Sequence, residues 1–163
     1  MQDFFNHALD DWAEDSDVDG ALQKLGMESL NDKYKGLEIN LMAHQVLGVA
    51  FMLEKENNKK FRGGILADAM GIGKTIQTLG VVVGNRGDKK VKTTLIVTPL
   101  ALLTQWKAEI ETKTAGPLRV FIHHGNGRSK SHNELRQYDF VLTTYGTLSS
   151  EHGSEVCPHF LLI

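Results

Sequence analysis

Residues 68 to 75 read Asp-Ala-Met-Gly-Ile-Gly-Lys-Thr, between a short apolar run at 63–67 and the helix-forming Ile76, Gln77, Thr78 and Leu79. Gly71 and Gly73 lack a Cβ, so the backbone can curl with its N–H groups aimed at phosphate oxygens. Lys74 can then reach β and γ phosphates, and Thr75 can hold a nucleotide-bound Mg²⁺. Asp68, Met70 and Ile72 complete the loop. Asp68 stands where the general G-x-x-x-x-G-K-[ST] pattern begins with Gly, so a strict search for that pattern passes over it. The competing explanation is a tight strand-to-helix turn with a merely solvated lysine. The flanking elements favour a nucleoside triphosphate site.

Elements that could position this loop follow from composition and period. Leu41 to Glu56 predicts a helix, with Leu41, Leu47, Ala50 and Phe51 recurring near a 3.6-residue spacing. Ile65 to Ala67 predicts a short buried strand and Lys74 to Val83 a helix. Residues 84–92 form a glycine- and lysine-containing loop, and Thr94 to Val97 the next strand. After Thr98 and Pro99 a helix should run to about Thr112, with an apolar stripe of Leu103, Trp106 and Ile110. Leu118 to Ile122 and Phe140 to Thr143 supply two more strands. The alternation predicts an α/β fold with a parallel sheet covered by helices on both faces.

The chain has 163 residues, 41% hydrophobic and 23% charged, enough for one core. Cys157 is the only cysteine, so no internal disulfide is expected and a reducing compartment is the natural setting. The N-terminus has neither a basic start nor a long apolar stretch, which argues against a secretory signal or a membrane span and leaves cytosol or nucleus. The formal net charge of −2 hides an asymmetry. Residues 1–32 carry nine acidic residues and one basic, whereas the remainder carries eleven acidic and seventeen basic. The acidic stretch from Leu9 to Gly20 is expected to be mobile or loosely helical. The positive body suits a polyanion, and solvated lysines explain it equally well.

Four spaced segments together resemble the first motor lobe of the Swi/Snf ATPases, the superfamily 2 helicase-like enzymes of chromatin remodelling and DNA repair. Leu41-Met-Ala-His-Gln45 with Gly48, Val49, Ala50 and Phe51 is similar to the family's glutamine motif, and residues 63–75 to its nucleotide loop, including Asp68. Leu95 to Leu100 with Leu103, Gln105 and Trp106 resembles the next motif, and Val141 to Tyr145 the one after. Ala43, Phe51 and Ala69 depart from a usual proline, tryptophan and acidic residue. None of these removes a phosphate ligand.

The resemblance implies a partial RecA-like lobe at 37–148, an acidic segment at 1–36 and a tail at 149–163. It implies ATP and Mg²⁺ as cofactors, double-stranded DNA or nucleosomes as partners of the complete enzyme, and a nuclear location. Gln45 would read adenine, against the plainer reading of a surface helix glutamine. Thr98 and Pro99 would meet a DNA phosphate, against a simple helix cap. Thr143 and Thr144 would touch the DNA backbone, against two ordinary strand-forming threonines. The sequence contains no Asp-Glu-x-His box, the carboxylate pair that in the family helps hold Mg²⁺ and position water. The expectation is therefore ATP binding without useful hydrolysis by this chain alone. The alternatives are a regulatory fragment binding nucleotide or DNA without turnover, and an unrelated P-loop enzyme, for which no Asn-Lys-x-Asp guanine motif is present. Adjacent His123 and His124 would point to opposite faces of a strand, which disfavours a shared metal.

Overall fold

A computed structural model describes residues 17–58, 63–86, 93–129, 131–151 and 161–162. They divide into two compact units, one within Met1–Lys35 and Ile39–Val81, the other within Gly36–Glu38 and Val82–Ile163.

The first unit is helical. Helix α1 spans Val18–Leu25, α2 spans Ala43–Asn57 and α3 spans Lys74–Gly84, the last turn of α3 belonging to the second unit. The Asp17 side chain caps α1 by accepting from Asp19 N–H at 2.9 Å, and Gly26 ends it in a left-handed conformation. Ala21 and Leu22 are buried as α1 packs on α2. Residues 18–25 are built into this unit, since the cap and two apolar residues suffice to dock a two-turn helix; residues 9–16 of the acidic stretch lie outside the described residues. The Lys24–Glu54 pair between α1 and α2, at 3.4 Å and exposed on both sides, adds little.

Two expectations need correction. Of the four apolar residues expected to recur along the helix at 41–56, Leu41 and Ala50 are buried but Leu47 and Phe51 are only half-buried, and Val46 and Val49, both 0% exposed, take the core. Residues 65–67 form no strand, and Ile65 is 83% exposed. An apolar tripeptide becomes a strand only when a neighbour completes its hydrogen-bond ladder, and no described residue does so.

Tyr34 is buried in this unit, and burial pushes its phenol above the ordinary 10.0. A raised folded value means that stability is fully present below the unfolded value. It falls once pH exceeds that value, as the unfolded phenol ionises first, and is lost as pH rises through the folded one. We expect Tm to drop above about pH 10 more in the wild type than in Tyr34→Phe, as read by thermal melts across pH 8–11.

The second unit is α/β. Strands β1 (Thr94–Val97), β2 (Val120–Ile122), β3 (Phe140–Thr143) and β4 (Leu161–Leu162) form a sheet of order β2-β3-β1-β4, with every pairing parallel. Helix α4 (Leu103–Lys113), preceded by a 3₁₀ turn at Leu100–Leu102, connects β1 to β2. Short α5 (His132–Leu135) precedes β3, and α6 (Tyr145–Glu151) follows it. Strand β3 is buried throughout and β1 at all but Val97, as expected of central parallel strands: Phe140, Leu142 and Ile110 of α4 are all 0% exposed. Leu95, Leu135 and Val141 form a buried cluster against which Phe121, Tyr138 and Leu148 pack. Asp139 anchors the start of β3. Its carboxylate pairs with Arg86 and accepts from Arg119 N–H at 2.7 Å, while its carbonyl accepts from Thr94 N–H at 2.9 Å.

Candidate nucleotide loop and sheet-edge residues

The loop expected to cradle phosphate lies directly before α3. Gly71 and Gly73 sit at φ +86° and +88°, the left-handed side that glycine adopts without strain. A Cβ built on Gly71 would meet nothing within 4 Å, so that side of the loop is open. A Cβ on Gly73 would lie 2.3 Å from Gln45 Nε2, so the loop is pressed against α2 there. Lys74 folds back over the loop and donates through Nζ to the Asp68 and Ala69 carbonyls, each at 2.8 Å. Thr75 is half-buried in the first turn of α3, where the helix dipole favours anions. Met70 is 95% exposed, and Ile72 uses its carbonyl to hold two side chains of α2.

Those side chains are His44 and Gln45. His44 Nε2 lies 2.9 Å from Ile72 O, and Gln45 Nε2 donates to the same carbonyl at 3.2 Å. Gln45 Oε1 accepts from Met42 N–H at 3.0 Å, so the amide also caps its own helix. Gln45 is 7% exposed, and a surface glutamine is ruled out. It joins the start of α2 to the glycine loop.

Sequence reasoning placed Gln77 in a helix and Gly48 in the glutamine motif but missed the contact between them. Gln77 is fully buried and donates through Nε2 to Asp68 Oδ2 at 2.9 Å. Its Oε1 points at Gly48, where an added Cβ would stand 1.8 Å away. The available signal was Gly48 itself. A glycine inside a helix costs about 0.5–1 kcal/mol relative to alanine unless a close approach requires it.

The other candidates cluster at the C-terminal ends of β1 and β3. The register pairs Val97 with Thr143, and Thr98 N–H donates to Thr143 O at 2.9 Å. Pro99 is exposed and opens the turn into α4, followed by Leu100 at 59% exposure. Thr143 donates through Oγ1 to the His123 carbonyl at 2.8 Å, and Thr144 Oγ1 accepts from Thr147 N–H at 3.2 Å. Both threonines are buried, and their hydroxyls brace the strand end and α6. The two histidines after β2 have separate partners: His123 meets Glu151 at 2.9 Å and His124 meets Thr147 at 3.1 Å. Among the described residues, no group of three His, Cys, Asp or Glu could hold a metal ion.

Comparisons with known proteins point to one family. The chain is 43% identical over 120 residues to the ATP-dependent helicase ULS1 of Saccharomyces cerevisiae, covering 71% of this chain and 7% of that protein. It is 42% identical over 109 residues to the ATP-dependent helicase rhp16 of Schizosaccharomyces pombe, covering 67% and 12%. With the Arabidopsis thaliana DNA repair protein RAD5A the identity is 34% over 142 residues, covering 58% and 14%. The chain thus spans a small part of these relatives. Among solved structures, the Sulfolobus solfataricus SWI2/SNF2 ATPase core in complex with dsDNA superposes with a TM-score of 0.60 at 34% identity, covering 74% of this chain and 24% of that one. Residues 44–158, from the histidine of α2 that holds the loop to beyond α6, match the SNF2-related domain, and the chain belongs to that family.

Proposed function

We propose that this chain is the nucleotide-holding part of a Swi/Snf-type, DNA-dependent ATPase of chromatin remodelling or DNA repair, acting on double-stranded DNA or nucleosomes in the nucleus. The observation that carries this reading is the loop of Gly71 and Gly73 at positive φ, open at Gly71 and crossed by Lys74 at the start of α3. A triphosphate entering there would meet main-chain N–H groups from Met70 to Lys74 and the dipole of α3. Lys74 would exchange its two carbonyl acceptors for β and γ oxygens. Thr75 would supply a hydroxyl to Mg²⁺ arriving with ATP, the metal neutralising phosphate charge. Gln45, holding the loop through Ile72, would face the adenine end.

Hydrolysis needs a carboxylate to position water and a cation to stabilise the transferring phosphoryl group. The sequence has no Asp-Glu-x-His box, so we expect this chain to bind Mg-ATP with negligible turnover. Phosphate release by the purified chain, abolished in Lys74→Ala, would contradict this.

DNA contact is assigned to the rim formed by Thr98, Pro99, Thr143 and Thr144, where two adjacent strands end and α4 and α6 begin. The buried hydroxyls of Thr143 and Thr144 fix the rim, and the exposed turn at Pro99 offers groups to backbone phosphates. Such contacts carry no sequence information. Fluorescence anisotropy with labelled duplexes should give weak affinity, equal for unrelated sequences and falling with salt at a log–log slope of about −0.9 per phosphate neutralised. Affinity that ignores salt would rule out the rim as a phosphate-contact surface.

A further inference from the structure

We propose that Gln77 is a positioning residue of the phosphate loop, seated in a notch that exists only because residue 48 is glycine. The proposal deepens the nucleotide-binding reading and rests on it for its affinity test. Gln77 lies one turn into α3, is 0% exposed, and donates through Nε2 to Asp68 Oδ2 at 2.9 Å. Among the described residues its other end has no hydrogen-bond partner: Oε1 is buried against α2 where a Cβ on residue 48 would lie 1.8 Å from it and 2.9 Å from Cδ. An apolar residue of similar length would fill this space without burying an unpartnered acceptor. The amide is explained by its donor end, which grips the carboxylate at the first residue of the loop.

The consequence runs through Asp68 to the lysine. The Asp68 and Ala69 carbonyls are the acceptors that hold Lys74 Nζ. Fixing the Asp68 side chain on α3 steadies the two successive peptides that carry those carbonyls. It also holds a carboxylate in place beside a loop that is to receive a triphosphate, where a freely rotating anion would repel the ligand. The departure of Asp68 from the glycine of the general pattern then has a cause: Gln77 needs an acceptor there.

The test combines hydrogen exchange without ligand and binding of a fluorescent ATP analogue with Mg²⁺, both on the full chain well below its melting temperature. Gln77→Ala should accelerate exchange of the amides at 69–74 about 10-fold while leaving the β1 and β3 amides unchanged. It should weaken nucleotide binding by a similar factor. Gly48→Ala, which expels the amide, should reproduce both effects, and the double variant should be no worse than either single one because both break one link. Should Gly48→Ala fail to fold, Gln77→Ala and the double variant, which has no clash, still decide. Exchange that rises uniformly across the chain, or stays at the wild-type rate in the loop, overturns the proposal. So does additive loss of affinity in the double variant. If the wild type shows no Lys74-dependent nucleotide binding, the functional reading fails, and the exchange pattern alone judges Gln77.

Discussion

Lys74→Ala should lower Mg-ATP affinity about 100-fold, a loss of about 2.7 kcal/mol, with helix content unchanged. Lys74 is the single cation of the loop, and a charge-assisted hydrogen bond contributes about 1.5–3 kcal/mol. In the free protein its Nζ is shared between two neutral carbonyls at 2.8 Å, contacts that a doubly charged γ-phosphate can outcompete. The same contacts mean that alanine also loosens the empty loop, leaving two carbonyls to water, at about 1 kcal/mol in a half-exposed position. Titration calorimetry with Mg-ATP separates the two effects, since loop loosening alone would lower Tm and leave Kd within a few-fold. An alanine variant binding as tightly as the wild type would remove the loop from consideration as a phosphate site.

The loop was legible in the sequence because its chemistry is local. Glycines two apart followed by Lys and Thr dictate backbone shape and charge wherever they occur between a turn and a helix. Strands β1 and β3 were legible for a similar reason: Thr94–Val97 and Phe140–Thr143 are short apolar runs that parallel pairing buries on both faces, and the structure places them at those bounds. What escaped were features that depend on a neighbour distant in the chain. Ile65 has the composition of a strand and lacks one in the structure because pairing is a property of two segments. Gln77 looks like a polar helix residue until Gly48, 29 positions earlier, opens a space for it. Thr143 and Thr144 were matched to a DNA contact through the family resemblance, and the sequence did not show what else their hydroxyls hold. The Thr143 hydroxyl donates to the carbonyl of His123, a partner 20 positions away that only the fold brings within reach, while that of Thr144 meets Thr147 in the next turn.

Gly73→Ala should be more damaging than Lys74→Ala, because it strikes the fold of the loop and the site together. Alanine at φ +88° is strained, at about 1–3 kcal/mol. Its Cβ would stand 2.3 Å from Gln45 Nε2, well inside van der Waals contact. Gln45 cannot simply swing aside, since it is 7% exposed and its amide joins Met42 N–H to the Ile72 carbonyl. Displacing it leaves buried polar groups unpaired, at a further 1–3 kcal/mol or so. The expected outcome is destabilisation by roughly 3 kcal/mol or more, seen as a Tm lower by about 5–15 °C, with nucleotide binding lost at any practical concentration. A second variant divides the cause. Gly73→Ala with Gln45→Ala removes the collision and keeps the strained φ, so Tm should recover partly and nucleotide binding should not. If the double variant melts no higher than Gly73→Ala, the contact between α2 and the loop is not what makes glycine necessary there. If Gly73→Ala itself melts and binds like the wild type, the positive-φ cradle is wrong.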